Sequence, residues 1–217
     1  MIDVALFPIP NSVNFPGVPC PLHVFEPRYR QMVTHCIEHN MFMGVCHTEK
    51  VVHEKSSDQT VADALNSNQS TYKPWDIFSA GPVELLEELD DGRLLIQVDT
   101  SVRLQLREEK QTLPFSIWAC EELPDVACEG PALVELEQSQ AKILTRLLAM
   151  THANEDAQEM LQSEFWQSMP ATKFSFAVAG LLGMPADTSQ HLLEMTDAQQ
   201  RLTTVLDMIN AMGSEIN

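Results

Sequence analysis

Apolar positions along this chain follow two rhythms, and the change between them falls near residue 124. Residues 6–25 set apolar side chains between prolines: Leu6-Phe7-Pro8-Ile9-Pro10, Phe15-Pro16-Gly17-Val18-Pro19, then Pro21-Leu22-His23-Val24-Phe25. Each proline removes an amide donor and fixes φ, so this segment is limited to short extended pieces joined by turns. The first helix is predicted where the prolines stop. Pro27 suits a first helical turn, and Tyr29, Met32, Val33, Cys36 and Ile37 recur at three- and four-residue spacing as one apolar stripe. Met41 to Cys46 is a run of strand length, whereas residues 48–76 turn polar and read as an exposed loop through Ser56-Ser57-Asp58 and Asn66 to Thr71. Strands resume at Pro82 to Leu86, and Asp90-Asp91-Gly92 supplies the turn of a hairpin ending in Arg93 to Val98. Val102, Leu104 and Leu106 alternate with Arg103, Gln105 and Arg107, the period of a strand with one buried face, and Phe115 to Ala119 adds another.

Beyond Pro124 to Pro131 the spacing is helical: Leu133, Leu136, Gln140, Leu144, Leu147 and Leu148 share one face. Further helices are expected over 156–166 and 172–182, from about Asp187, and from a capping box at Thr196-Asp197-Ala198-Gln199 to about Met212. The expectation is an α+β protein, with a β-rich part over residues 1–123 carrying one helix and a helical part over 130–217.

At 217 residues, 44% hydrophobic and 20% charged, the chain is long enough to bury a core. Its net charge of −18, with the acidic excess concentrated beyond residue 120, disfavours nucleic acid and anionic membrane as partners, since both are held by Lys and Arg. Such acidity promotes solubility. Five cysteines without a Cys-x-x-Cys pair indicate neither a disulfide framework nor a zinc ribbon, and suit reduced thiols in a cytoplasm. The start Met1-Ile2-Asp3-Val4 lacks a basic signal-peptide region, the uncharged run Ala5 to Phe25 is broken by proline, and Phe174 to Ala186 is too short for a membrane span.

Catalytic motifs are absent. There is no Gly-x-x-x-x-Gly-Lys-Ser/Thr phosphate loop, no Gly-x-Ser-x-Gly elbow and no His-Glu-x-x-His helix. His35, Cys36, His39, Cys46 and His47 suggest tetrahedral zinc, but Cys36 and Cys46 sit in apolar runs where small buried cysteines are common, so no metal or other cofactor is assigned. Glu87-Glu88 and Asp90-Asp91 read as a solvated rim. Glu26, Arg28, Arg30, Gln31 and Glu38 lie off or beside the apolar stripe of the first helix, as a solvent face or as a protein-contact rim. Tyr72, Trp75 and Phe78 flank the polar loop and suit core anchoring or, when exposed, contact.

The run Leu6-Phe7-Pro8, Phe15-Pro16-Gly17, then Pro21-Leu22-His23-Val24-Phe25-Glu26-Pro27-Arg28-Tyr29 resembles the opening of the Lon N-terminal domain, the substrate-binding domain of ATP-dependent Lon proteases. Ser189 to Met195 and Gln200-Arg201-Leu202 resemble its closing helices; Asp99-Thr100-Ser101 departs from it, lacking the glycine usual before the buried Arg-hydrophobic strand. The resemblance implies a PUA-like β barrel with one packed helix, followed by a helical bundle. It also implies a non-enzymatic module that binds unfolded or partly folded polypeptides or a protease partner, with Glu26, Arg28, Arg30, Gln31, Glu38, Tyr72 and Trp75 as contact candidates. The other reading is a PUA-like protein binding nucleic acid or a small ligand, which the charge opposes.

Overall fold

The computed structural model describes the backbone of residues 1–53 and 71–214, and the side chains of residues 1–48 and 73–212. Two compact units emerge, one formed by Met1–Pro124 with Met184–Leu193, the other by Asp125–Gly183 with Glu194–Asn217. Residues 184–193, read from the sequence with the helical part, thus cluster with the β-rich part.

The first unit runs β1 (Ile2–Pro8), β2 (Pro19–Val24), α1 (Pro27–His39), β3 (Phe42–Cys46), β4 (Thr48–His53), β5 (Thr71–Pro74), β6 (Ile77–Gly81), β7 (Val83–Glu88), β8 (Leu94–Asp99), β9 (Val102–Gln111) and β10 (Ile117–Glu122). Strands β1-β10-β9-β6-β3 form a closed barrel, shut by the parallel pairing of β1 with β3 from Val4↔Phe42 to Pro8↔Cys46. A parallel pair needs a long crossover, and β2 with α1 supplies it. A second sheet has the order β2-β8-β7, with the expected β7–β8 hairpin, while β4 and β5 pair with each other.

Strand β1 is buried on both faces. Val4 and Leu6 enter the cluster with Cys46, Phe78, Ala80, Leu104, Leu106 and Cys120. Ala5 faces the other cluster, where Tyr29, Met32, Val33 and Cys36 of α1 meet Cys20, Val24, Ile96 and Val98 of the second sheet and Met43, Val45 and Ile117 of the barrel. The stripe read from sequence is therefore the packed face of α1, except that Ile37 is exposed.

Three expectations change. Strands β4 and β5 occupy the ends of the segment read as loop, and its Ser56–Asp58 and Asn66–Ser70 portions lie outside the described residues. Strand β6 departs from the sequence expectation, because only Ile77 and Phe78 in it are large and apolar, and at Gly81 the chain has no room for a side chain. A Cβ on Gly81 would lie 1.9 Å from the Asp99 carbonyl oxygen. Arg103, at a polar position of the β9 alternation, is buried and donates through Nε to the Leu123 carbonyl (2.8 Å) and through Nη1 to the Leu193 carbonyl (2.9 Å). Buried Thr100, in the stretch without the expected glycine, ties the Phe-Pro-Gly turn: its Oγ1 donates to the Val18 carbonyl (2.7 Å) and accepts from Asn14 Nδ2 (2.7 Å), while Gly17 N–H donates to the Thr100 carbonyl (2.6 Å).

Helix α2 (Pro131–Met150) opens the second unit, followed by α3 (Glu155–Gln162), α4 (Glu164–Ser168) and α5 (Ala171–Leu181); α6 (Ala186–Glu194) precedes α7 (Ala198–Ser214). Helices α2, α5 and α7 pack on one another. The helix expected over 156–166 is broken at Ser163, whose backbone is extended and whose hydroxyl donates to the Met160 carbonyl. At the start of α7 the cap is Asp197 rather than Thr196: its Oδ1 accepts from Gln199 N–H (2.8 Å) and Gln200 N–H (3.1 Å). At the centre lies Arg201, fully buried, bound to Asp125, the Met195 carbonyl and Ser175, with its guanidinium 3.7 Å from the Phe176 ring centre. No helix of the described residues is long and apolar enough to cross a membrane.

Candidate functional site

The Pro-rich opening, the first turn of α1 and the β9–β10 connection converge on a cleft of about 200 Å³, lined by Leu6, Pro8, Arg28, Tyr29, Pro74 and Thr112 to Ser116. Its floor is set by Tyr29, buried and packed on Phe7 with ring centres 4.4 Å apart. Arg28 lies over the same ring at 4.5 Å and donates through Nε to Glu26 Oε2 at 3.0 Å. The pair leaves the cleft with one cation already neutralised, so most of the wall is proline, aromatic ring and leucine. The opposite wall is held by Gln111 Nε2 donating to the Phe115 carbonyl (2.9 Å) and by Leu6 N–H donating to the Ser116 carbonyl (3.0 Å). That anchorage lets Leu113, followed by cis Pro114, stand 79% exposed at the rim.

Of the contact candidates read from sequence, Arg28 lines this cleft. Glu26 is only 8% exposed and acts on the cleft through its ion pair with Arg28. Arg30 is half-buried and donates to the Gly92 carbonyl (3.0 Å), while Gln31 and Glu38 are exposed farther along α1. Trp75, next to Pro74, is half-buried with its ring stacked 6.3 Å from that of His47. The side chain of Tyr72 lies outside the described residues. Leu113 and Pro114 were not singled out, although an apolar pair between Thr112 and the next strand was their visible signal.

The imagined zinc cluster is not assembled. Cys36 and Cys46 are core residues, His47 is buried, and among the described residues no group of three or more His, Cys, Asp or Glu converges on a common point. Burial pushes the thiols up, Cys20 to about 11 and Cys36 and Cys120 to about 12, with Cys46 raised well above its ordinary value. Protonated thiols are poor nucleophiles and poor ligands. What the cleft offers is an apolar surface.

The sequence matches the family of the ATP-dependent protease La (Lon) substrate-binding domain over residues 3–211. This chain belongs to that family. Among solved structures, it is similar to a Lon N-terminal domain protein from Xanthomonas campestris, with a TM-score of 0.64 and 21% identity over 95% of this chain and 98% of that one. It is also similar to the N-terminal domain of Mycobacterium avium complex Lon protease, with a TM-score of 0.67 and 14% identity over 96% and 98%. At these identities the likeness establishes the α+β fold, a barrel with helices, and assigns no contact residue. Within this family member, Leu6 and Pro8 of the opening strand and the Pro-Arg-Tyr helix start, which carried part of the resemblance, line the cleft.

Proposed function

We propose that this Lon-family chain is a non-enzymatic polypeptide-binding module that anchors an apolar side chain of an extended client in the cleft between α1 and the β9–β10 connection. The observation that carries this reading is the apolar lining of that cleft, with Leu113 exposed at its rim, in a member of a substrate-binding family. A volume of about 200 Å³ suits one large residue of a client, and aromatic and proline walls are the surfaces on which extended and Pro-containing segments are held. Grip on a single residue gives weak, sequence-tolerant binding, as unfolded clients require, with avidity arising only where several modules act on one chain. The net charge of −18 weighs against nucleic acid or anionic membrane in the same role. The five free cysteines favour a reducing, cytoplasmic setting. Neither a phosphate-loop motif nor a nucleophile-elbow motif occurs in this sequence, so ATP and client should both remain intact on incubation.

Titration of a reduced, unfolded model protein against the labelled chain tests the proposal. Leu113→Glu, at a solvent-facing position, is expected to weaken association about tenfold while leaving the thermal midpoint in place. Absence of association with the wild-type chain, or equal affinity in Leu113→Glu, would overturn it.

A further inference from the structure

We propose that the outer edge of strand β7 is a docking surface for an extended polypeptide segment in which basic and apolar residues alternate. β7 is an edge strand of the β2-β8-β7 sheet, and among the described residues no strand pairs with its free side. Alternate backbone N–H and C=O groups along it therefore face away from β8, the arrangement that accepts an added strand. Of the devices that blunt such edges, β7 has a bulge, where its register with β8 shifts between Leu85 and Glu87, but neither Lys nor Pro. The bulge leaves Val83–Leu85 as the regular stretch, so the grip on a partner is short and reversible. Leu85 and Leu86 are exposed.

Register fixes which side chains an incoming strand would meet. Val83 lies opposite Val98 and Leu85 opposite Ile96, both core residues, so these two sit on the face packed by α1. Glu84 lies opposite Gln97 and Glu87 opposite Leu95, on the other face. On the α1 side, Ile37 stands exposed two helical turns past Arg30, on the flank that Arg30 ties to the Gly92 carbonyl in the β7–β8 turn. A strand laid beside β7 thus meets leucine and isoleucine on one face and glutamates on the other. Its own alternation has to be apolar toward α1 and cationic toward Glu84 and Glu87. No Lys or Arg within β2, β8 or β7 neutralises these carboxylates, and Arg93 on the adjoining turn is already paired with Asp91. Opposite charges on neighbouring strands stabilise and like charges destabilise, which selects a basic segment over a second copy of this acidic strand. The edge shares no residue with the cleft, so failure here leaves the cleft reading standing.

The test is fluorescence anisotropy of a labelled, end-capped Lys-Val-Lys-Val-Lys-Val peptide titrated with the full chain. Saturable binding that weakens as salt rises is expected. Glu84→Lys/Glu87→Lys should weaken it about tenfold, because two attractions at the rim become repulsions. Glu135→Lys/Glu137→Lys, the same change of net charge at exposed positions of α2, should shift it by less than about threefold. The peptide N-methylated at every residue keeps its charge and loses its amide donors, so it should also bind about tenfold more weakly. Circular dichroism confirms that each variant is folded. No saturable binding of the peptide, a loss below about threefold from Glu84→Lys/Glu87→Lys or from N-methylation, or an equal loss in the two charge variants, would overturn the edge as the docking surface.

Discussion

Replacing Arg201 with methionine probes the helical unit at its most constrained point. The guanidinium donates to Asp125 through both terminal nitrogens (3.3 and 2.5 Å), to the Met195 carbonyl (2.6 Å) and through Nε to Ser175 Oγ (2.9 Å), and it stacks on Phe176. Its exposure is 0%, and that of the Asp125 side chain 15%. Methionine keeps much of the volume and supplies no donor, so the Asp125 carboxylate stays largely desolvated while losing its cation. Removing one partner of a buried ion pair costs about 3–5 kcal/mol, against a total stability of about 5–15 kcal/mol for a typical domain. Urea unfolding followed by helical circular dichroism should therefore show a large loss. The double variant Arg201→Met/Asp125→Leu should recover part of it, because both charges are then gone. A single variant within about 1 kcal/mol of wild type, or a double variant no better than the single, would refute the assignment of Arg201 as the polar centre of this unit.

Phe15, 2% exposed, and Phe25, 38% exposed, share the Pro-rich opening but not its core, so Phe15→Ala should cost about 3–5 kcal/mol and Phe25→Ala well under half of that by thermal melting. Gly81→Ala should yield little folded protein by gel filtration and near-ultraviolet dichroism, since the new Cβ meets the Asp99 carbonyl oxygen at 1.9 Å, a backbone atom that cannot swing aside as a side chain could. Under native conditions a thiol reagent should modify Cys128 quickly and Cys20, Cys36, Cys46 and Cys120 only on unfolding; fast labelling of more than one thiol would contradict their burial. In the folded chain the thiols of Cys20, Cys36 and Cys120 stay neutral up to about 11 to 12, whereas unfolded cysteine ionises near about 8.5. Stability should thus be unaffected by these groups at lower pH and fall as pH rises through that window, in urea titrations under reducing conditions.

Local chemistry determined much of this protein. Prolines confined residues 6–25 to extended pieces and turns, the 29-32-33-36 spacing marked the packed face of α1, and Asp90-Asp91-Gly92 fixed the β7–β8 hairpin, because each of these signals acts within a few residues. Tertiary structure decided what depends on partners distant in sequence. Strand β6 ends on a glycine that the Asp99 backbone requires, and nothing within Ile77–Gly81 announces that neighbour. Arg103 falls on the polar phase of the β9 alternation and Arg201 is a lone charge on the apolar face of α7, yet both are buried, since carbonyls of Leu123 and Leu193 in one case and Asp125 in the other arrive from far along the chain to satisfy them. The cleft follows the same logic. Its Arg28 and Tyr29 were legible from the helix start, but Pro74 and the 112–116 connection join them only when the barrel closes, so sequence could name one wall of the site and not the space between two.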